Sequence, residues 1–379
     1  MFDRSMKLSR ISSFLLLLLI VSRMLVVFFC APKQVADFGA LKEAWLHSQY
    51  NLNQGYEFYG NMGDEDLRTY AALEYLKGQD PSRINFEDPP LVKYLFGISY
   101  AVFANILVLQ FLFASGILVC TYLIGRAICL GSRLALLPLL LLSFDKLFVQ
   151  KSQTVNLDLP QLFFVLIALL VLMKKKYTQR SFVFLGISIG AAMASKVMFT
   201  GLILLLFVLA VLYLRKIPHL KKAASLVVLV GLGVYIFSYS VFFFSHPVMD
   251  FVTLHLSIAG FYRSYVPEYP WFEIWRILFL GRWRTWFATP PIQPVEEHWL
   301  VWPVSALLTF SLLFTQRRLR RLSLVPEQIL LAWLVVYLGF QSIHVVFPRY
   351  LLLALPLFYI LATQAIQTWL SYSPAANND

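Results

Sequence analysis

Long apolar runs separated by short charged segments constrain this chain more than any other feature. A helix needs roughly 20 apolar residues to cross the hydrocarbon core of a bilayer, and fewer where it is buried inside a bundle. Only 14% of the residues are charged, whereas a soluble domain carries roughly 25%. We therefore predict an all-α polytopic membrane protein, with a single membrane domain over residues 1–373 and no room for a large soluble domain.

The apolar runs predict about ten spanning helices. The fifth and sixth of them can also be drawn as one kinked helix. Basic residues precede the first run and no small-x-small cleavage site follows it, so we interpret it as a retained helix rather than a signal peptide. The predicted spans lie near residues 11–30, 106–126, 133–148, 155–173, 181–195, 197–214, 223–244, 299–315, 328–346 and 350–370.

Lysines and arginines cluster in alternate short loops, and this pattern predicts the orientation of the chain. With the N-terminus in the cytoplasm, every cluster falls on the cytoplasmic side, and an even number of spans returns residues 374–379 there as a cytoplasmic tail. Attraction to anionic lipid then explains the formal charge of +12, and no nucleic-acid partner is needed. The clusters are Arg4, Lys7 and Arg10; Arg126 and Arg133; Lys174, Lys175, Lys176 and Arg180; Arg215, Lys216, Lys221 and Lys222; Arg317, Arg318, Arg320 and Arg321.

The opposite face carries two long loops, over residues 31–105 and 245–298, and nearly all the acidic residues. In the first loop, residues 39–50 and 65–76 are predicted as short amphipathic helices. The apolar segment 91–105 is too short to span comfortably and predicts a helix at the membrane interface. The second loop is rich in tryptophan, tyrosine and arginine, and aromatic side chains favour the headgroup level, so we expect interfacial helices there too. We expect the chain to work on this face.

The scarce acidic residues crowd into the first external loop, at positions 64–66 and 87–88. Asp64 stands at a predicted helix start, where an acidic residue caps the helix and interacts favourably with its dipole. The same spacing of carboxylates also suits a general base or a pair of metal ligands. From the sequence, these interpretations stay open.

Two aspartates end neighbouring predicted spans on the external face. A charge at membrane depth is costly and tends to face a cavity or a partner. An ion pair of Asp145 and Asp158 with Lys146 and Lys151 is one interpretation, and a functional site is the other.

Two basic residues stand at the same external boundary. Lys196 interrupts a run of small residues at the outer end of one predicted span, and Arg349 precedes the last span. Each is either a side chain that snorkels to the interface or a ligand for a phosphate group, which arginine can bind through two parallel hydrogen bonds.

No metal-binding or nucleotide-binding motif is found in the sequence. The chain lacks a C-x-x-C, a P-loop and a G-x-S-x-G. Its scattered histidines include His246, His255, His298 and His344, and its cysteines are Cys30, Cys120 and Cys129.

Five short segments occur in an order and with a common external placement that are similar to those of a known family. They are the acid pair Asp64-Glu65, the segment from Phe86 to Leu95 with its acids, two prolines and lysine, the stretch from Ser152 to Asp158, the glycine-rich helix from Gly186 to Lys196, and Pro348-Arg349-Tyr350. On these segments the chain resembles the GT-C glycosyltransferases. Within them it is similar to the dolichyl-phosphate-mannose protein mannosyltransferases and to bacterial transferases that use polyprenyl-phosphate sugars, such as the aminoarabinose transferase of lipid A.

The resemblance implies an inverting transfer of a sugar from a polyprenyl phosphate to a hydroxyl group of a lipid, glycan or protein acceptor. Asp64 would be the base, and Glu65 and Asp158 would be further catalytic residues. No metal is obligatory in such a transfer, although a divalent cation could bind the acid-rich loop. The implied donor-phosphate ligands are Lys196, Arg349, Lys93 and Arg282, and the implied further loop contacts are Glu87, Asp88 and Trp283.

One residue departs from the family pattern. Family members usually carry histidine or lysine just before the two prolines, whereas this chain has Asp88. The contact made at this position is therefore expected to differ, and with it the sugar or the acceptor.

A multi-span transporter or a lipid-linked sugar flippase is the alternative function. It predicts ionisable residues near the bilayer midplane and often two corresponding halves. Arg23 alone lies well inside a predicted span, and the halves show no obvious correspondence, so the transferase is favoured. We expect a plasma or inner membrane, or an ER membrane in a eukaryote, with both termini cytoplasmic and the active site external.

Overall fold

The computed structural model of the chain describes residues 2–31, 37–48, 50–51, 62–128, 130–264, 271–285, 290–315 and 324–371. The predicted tail at 374–379 and the predicted basic cluster at 317–321 lie outside the described residues. The described chain is almost entirely helical, which confirms the helical bundle predicted from the apolar runs. A large apolar core runs through it, with two smaller clusters around α3 (Asp64–Leu76) and α4 (Leu91–Phe103), and α17 (Leu355–Ser371) is buried in the large core over its first turns.

The helices follow one another with short connections. A 3-10 helix, Pro348–Leu353, precedes the last of them, and β1 (Arg282–Arg284) pairs antiparallel with β2 (Ile292–Pro294). The other α-helices are α1 Phe2–Phe29, α2 Phe38–Leu46, α3 Asp64–Leu76, α4 Leu91–Phe103, α5 Leu107–Ala127, α6 Leu136–Phe144, α7 Lys146–Ser152, α8 Asp158–Leu172, α9 Gln179–Ser195, α10 Met198–Leu214, α11 Leu220–Phe237, α12 Ser240–Ser245, α13 Val248–Ser264, α14 Glu273–Leu280, α15 Val301–Thr315 and α16 Pro326–Gln341.

Three segments of the described helices are long and apolar enough to cross a membrane: Ile11–Phe29, Leu107–Ala127 and Leu220–Phe237. Shorter apolar helices lie at Leu91–Phe103, Asp158–Leu172, Met198–Leu214 and Val301–Leu313. Because a helix enclosed by others can cross with fewer apolar residues, this result agrees with a polytopic bundle. The number of spans stays a prediction.

The apolar run predicted as one span at 133–148 is two helices, because Asp145 interrupts it. The Asp145 carboxylate caps α7 by accepting from the Phe148 N–H at 3.0 Å, and it also accepts from Trp302 Nε1 and Tyr359 Oη, each at 2.6 Å. The suggested ion pair with Lys146 is wrong, since that side chain is exposed and the described partners of Asp145 are neutral donors. Buried carboxylates need such partners to offset the loss of hydration.

Other predicted spans are also interrupted. The alternative of one kinked helix over 181–214 is excluded, because Lys196 adopts an extended backbone between α9 and α10. The run at 223–244 ends as a continuous helix at Phe237, and the run at 350–370 begins inside a 3-10 helix. In each case the apolar run predicted a helix but did not show the break in the backbone.

Small residues let α9 and α11 approach each other closely. A Cβ atom added to Gly190 would lie 2.3 Å from the Gly231 carbonyl oxygen, and one added to Gly186 would lie 2.7 Å from Val230 Cβ. Close backbone approach at small residues is a common way for helices to associate in membranes. This contact holds α9 against α11, and Lys196 is the residue directly after α9.

The two long loops contact each other. The predicted helices of the first loop are confirmed as α2, α3 and α4, and the second loop forms α13, α14 and a hairpin that the sequence did not predict. Asp80 of the first loop lies 2.6 Å from His246 Nε2 of the second, and the rings of Phe86 and Phe261 meet edge to face at 5.5 Å. The position of these helices relative to a membrane surface stays a prediction.

Replacing Gly190 with alanine is expected to destabilise the protein by about 1–3 kcal/mol, because the new methyl group overlaps backbone of α11. Thermal unfolding in detergent would measure the loss. Gly233→Ala is the matched control, since a Cβ there meets nothing within 4 Å. Equal midpoints for both variants would contradict this account of the α9–α11 contact.

Candidate active site

A cavity of about 320 Å³ opens where α3, the start of α8, the α9–α10 junction and the 3-10 helix meet. Its charged lining contains four acidic residues and three basic ones, and one side of it is apolar and aromatic. The charged residues are Asp64, Arg68, Glu87, Asp88, Asp158, Lys196 and Arg349. The apolar and aromatic residues include Val197, Phe199, Phe261, Tyr262, Tyr337, Phe340, Val345, Phe347, Tyr350 and Leu353.

Asp64 is the first residue of α3 but does not cap it. The predicted capping role is wrong, because the N-cap residue is Gly63 and no side chain makes a cap hydrogen bond. Instead, Asp64 Oδ2 accepts from Arg68 Nη2 at 3.0 Å and from Arg349 Nη1 at 2.8 Å. Tyr50 Oη lies 3.5 Å from the other oxygen, Oδ1.

The two arginines control the ionisation of Asp64. Burial favours the neutral acid and by itself would raise the pKa, but the positive charges of Arg68 and Arg349 outweigh burial and hold the pKa of Asp64 well below its usual range. Asp64 is therefore an ionised carboxylate at any physiological pH.

Asp158 and Lys196 form a second ion pair beside the first. Asp158 is the first residue of α8, where Asn156 Oδ1 accepts from the backbone N–H groups of Asp158 and Leu159. Oδ1 of Asp158 accepts from Lys196 Nζ. The same ammonium group lies 4.2 Å from the centre of the Tyr350 ring. The suggested pairing of Asp158 with Lys151 is therefore wrong, because the extended backbone at Lys196 brings a closer cation.

Arg349 connects the two pairs. Its Nη1 binds Asp64, and its Nε lies 4.0 Å from Asp158 Oδ2. Its guanidinium also lies 4.6 Å from the centre of the Phe347 ring. The two aspartates, Lys196 and Arg349, which were predicted separately, thus form one cluster.

Lys93 fixes the loop that carries Glu87 and Asp88. It is fully buried, and its ammonium donates to the Asn85 backbone oxygen at 2.8 Å, to Asn85 Oδ1 at 3.0 Å and to the Asp88 backbone oxygen at 2.6 Å. These bonds use all three protons of the ammonium, and Lys93 does not line the described cavity. The structure therefore contradicts the predicted contact of Lys93 with a donor phosphate and gives this residue a positioning role.

Glu87 and Asp88 both line the cavity, as predicted for loop contacts. Glu87 accepts from Asn85 Nδ2 at 2.6 Å, and Asp88 Oδ2 lies 3.9 Å from Arg68 Nη2. Burial, reinforced by the neighbouring Asp88 carboxylate, raises the pKa of Glu87 to about 7.

Three predicted site residues lie outside the described cavity. The Glu65 carboxyl is half-buried beside Lys151 and Thr154, and burial raises its pKa. Arg282 is an exposed residue of β1, and the Trp283 ring centre lies 5.8 Å from that of Phe347, which lines the cavity. The structure therefore supports no direct contact of Glu65, Arg282 or Trp283 with a ligand in this cavity.

Arg68 is the main residue that the sequence interpretation missed. It is 4% exposed and lies one helical turn after Asp64, a spacing at which an acid and a base meet on a helix. That spacing was visible in the sequence. Gln161 and Tyr262 also line the cavity, and no local pattern marks Gln161.

Among the described residues, no three histidine, cysteine, aspartate or glutamate side chains are grouped as they would be around a metal ion. The described carboxylates at the centre of the cavity are paired with basic side chains instead. Whether a divalent cation takes part stays a prediction.

Comparison with known proteins agrees with the resemblance inferred from the sequence. Residues 87–240 match the model of the family described as dolichyl-phosphate-mannose-protein mannosyltransferase. This match begins at the cavity loop and includes Asp158 and Lys196. A comparison with curated proteins found no significant match.

The chain has the fold of ArnT. The crystal structure of ArnT from Cupriavidus metallidurans bound to undecaprenyl phosphate superposes with a TM-score of 0.60 at 16% sequence identity, covering 93% of this chain and 60% of that one. The apo structure of the same protein gives a TM-score of 0.58 at 16% identity, covering 94% and 61%. The prediction of a GT-C-like membrane bundle is thereby confirmed. The chain spans about 60% of the length of the ArnT structures it matches.

The raised pKa of Glu87 predicts a pH-dependent stability difference. The folded protein holds this proton up to about pH 7, whereas an ordinary glutamate loses it near 4.5. The stability that this carboxyl contributes is therefore fully present below pH 4.5 and is lost as the pH rises through 7. The unfolding midpoint of Glu87→Gln, minus that of wild type, should increase across this range and then level off.

Thermal unfolding in one detergent at several pH values would measure this difference. Glu296→Gln, at an exposed glutamate outside the cavity, is the control and should keep the pH dependence of wild type. A Glu87→Gln difference that is independent of pH would show that the buried carboxyl is not the source.

Proposed function

We propose that this protein is an integral-membrane glycosyltransferase that moves a sugar from a polyprenyl phosphate to a hydroxyl group of a lipid, glycan or protein acceptor. The observation that carries this proposal is the cavity in which Asp64 and Asp158 meet Arg68, Lys196 and Arg349 beside an apolar wall. The donor class is supported by the fold shared with ArnT, a protein crystallised with undecaprenyl phosphate. The external location of the site rests on the distribution of basic loops.

The basic side chains suit the phosphate of the donor. A phosphate ester offers several charged oxygens, and arginine can bind two of them through parallel hydrogen bonds, while lysine contributes a compact charge. We propose Lys196, Arg349 and Arg68 as the ligands of this phosphate. Such groups also stabilise the negative charge that the phosphate regains when the sugar leaves.

The apolar side of the cavity suits the prenyl chain. Phe199 at the start of α10, Phe340 near the end of α16 and Val345 beyond that end all line the cavity, and Phe199 is 45% exposed. Burial of prenyl groups here would hold the phosphate against the basic cluster. The reacting sugar would then lie beside Glu87 and Asp88 of the first loop.

The proposed reaction is a direct, inverting displacement at the anomeric carbon of the sugar. The acceptor oxygen forms a bond to that carbon while the bond between the carbon and the phosphate oxygen breaks. The bonding electrons leave with the polyprenyl phosphate, and the acceptor proton passes to the Asp64 carboxylate. Because the leaving group is a phosphate, no general acid is required, and we propose no obligatory metal.

Asp64→Asn is expected to fold normally and to lose transfer by about 10²–10⁴-fold, the usual contribution of a positioned general base. The assay supplies radiolabelled polyprenyl-phosphate mannose, glucose, galactose or aminoarabinose to protein in nanodiscs, with membrane lipid and peptides as acceptors. Asp66→Asn is the matched control, because Asp66 is exposed and does not line the cavity.

Full transfer by well-folded Asp64→Asn would remove this residue from the role of base. If folded wild type turned over none of the donors, and instead moved labelled lipid across the bilayer, the transporter or flippase alternative would replace the transferase.

Lys196→Gln is expected to weaken the binding of undecaprenyl phosphate by about 10–100-fold, because a hydrogen bond to a charged group contributes about 1.5–3 kcal/mol. Equilibrium binding to protein in nanodiscs would measure this loss. Lys146→Gln removes the same charge from an exposed side chain outside the cavity and should bind like wild type. Unchanged binding by a folded Lys196 variant would exclude Lys196 as a phosphate ligand.

A further inference from the structure

The pairing of Asp64 in the structure opposes the role of base. One oxygen, Oδ2, accepts hydrogen bonds from both Arg68 and Arg349, at 3.0 and 2.8 Å. Lone pairs used in this way are not available to an acceptor hydroxyl, and the two positive charges disfavour a proton on this carboxylate. Oδ1, which has Tyr50 at 3.5 Å as its described partner, keeps lone pairs, so release of one arginine from Oδ2 makes this carboxylate a stronger base.

Arg349 is the less enclosed of the two arginines. The Arg68 side chain is 5% exposed, is held one turn away on the same helix as Asp64, and has Asp88 as a second acid at 3.9 Å. The Arg349 side chain is 23% exposed and stands on a short 3-10 helix.

Arg349 also has unused hydrogen-bonding capacity. Its buried Nε has no hydrogen-bond partner among the described residues, and neither has Asp158 Oδ2, which lies 4.0 Å away. A rotation of the guanidinium away from Asp64 breaks a 2.8 Å hydrogen bond, so it needs another anion as compensation. An anion in the cavity would provide that compensation and would give the Nε–H group the acceptor it lacks.

We propose that the donor phosphate takes the Arg349 guanidinium away from Asp64, so that donor binding itself frees the base. This inference rests on the proposed function of the same site. A phosphate offers two charged oxygens to the planar guanidinium and competes with a carboxylate oxygen that Arg68 also uses. Asp64 then keeps one arginine, and its Oδ2 regains a lone pair. The carboxylate is therefore a stronger base when a donor is in place.

Competition for one arginine has a thermodynamic consequence that can be measured. If Asp64 and the phosphate compete for Arg349, removing the charge of Asp64 must tighten phosphate binding through Arg349. If Asp64 only contacted the substrate, substituting it would weaken phosphate binding. A general electrostatic effect would tighten binding whether or not Arg349 is present.

The experiment is a double-mutant cycle on the binding of undecaprenyl phosphate to the full chain in nanodiscs at fixed pH and salt. Wild type, Asp64→Asn, Arg349→Gln and the double variant are compared. Asp64→Asn should bind about 5–50-fold more tightly than wild type, within the usual range of coupling between sites. The double variant should bind no more tightly than Arg349→Gln.

Asp88→Asn is the matched control. It removes one negative charge from the same cavity, and the described partner of Asp88 is Arg68 rather than Arg349. Any tightening it causes should persist in the Arg349→Gln background. Should Arg349→Gln fail to fold, Arg349→Lys replaces it, since lysine keeps the charge but lacks the planar guanidinium that forms two parallel hydrogen bonds. In that background, Asp64→Asn should increase the affinity for undecaprenyl phosphate by a smaller factor.

The outcomes separate this inference from the proposed function. A gain from Asp64→Asn that is equal with and without Arg349, or no gain at all, would overturn the competition while leaving the transferase intact. If folded wild type and all variants failed to bind undecaprenyl phosphate, the proposed function itself would fall, and the inference with it.

Discussion

The hydrogen bond between Arg349 and Asp64 joins residues 285 positions apart at 2.8 Å, and the arrangement of the bundle depends on keeping such charges together. Removing ions from water costs several kcal/mol each unless partners compensate, and breaking a buried pair leaves an unsatisfied charge. Here two carboxylates pair with two guanidiniums and one ammonium, and a third carboxylate, that of Asp88, lies 3.9 Å from Arg68 and offsets the remaining positive charge. The helices that carry them are therefore constrained to meet at one point.

Except for Arg68, which lies within α3, the charged groups of this cluster stand where a helix begins or is interrupted. Asp158 starts α8, Lys196 separates α9 from α10, and Arg349 lies on a 3-10 helix before α17. In an apolar bundle, irregular backbone is tolerated where it lines a cavity. The same breaks that interrupt the predicted spans thus create the polar site.

The first long loop lines the cavity with Glu87 and Asp88, and several contacts hold it there. Lys93 holds the backbone of Asn85 and Asp88 from within, and His246 holds Asp80 from the second loop. Burial raises the pKa of Glu87 to about 7, so this wall of the cavity changes its charge near neutral pH. Lys93 acts on the site by positioning the two acids.

The sequence by itself determined the membrane class, the helical bundle, the two long loops and most of the charged residues of the cavity, because hydropathy and charge are local properties of a segment. Only the tertiary structure decided which charges pair. In the folded bundle, Asp158 pairs with Lys196 rather than with Lys151. The Lys93 ammonium binds the backbone of the first long loop, and Arg68 becomes part of the site. The physical reason is that an apolar run shows that a helix is buried, whereas an ion pair depends on which helix ends become neighbours in the folded bundle.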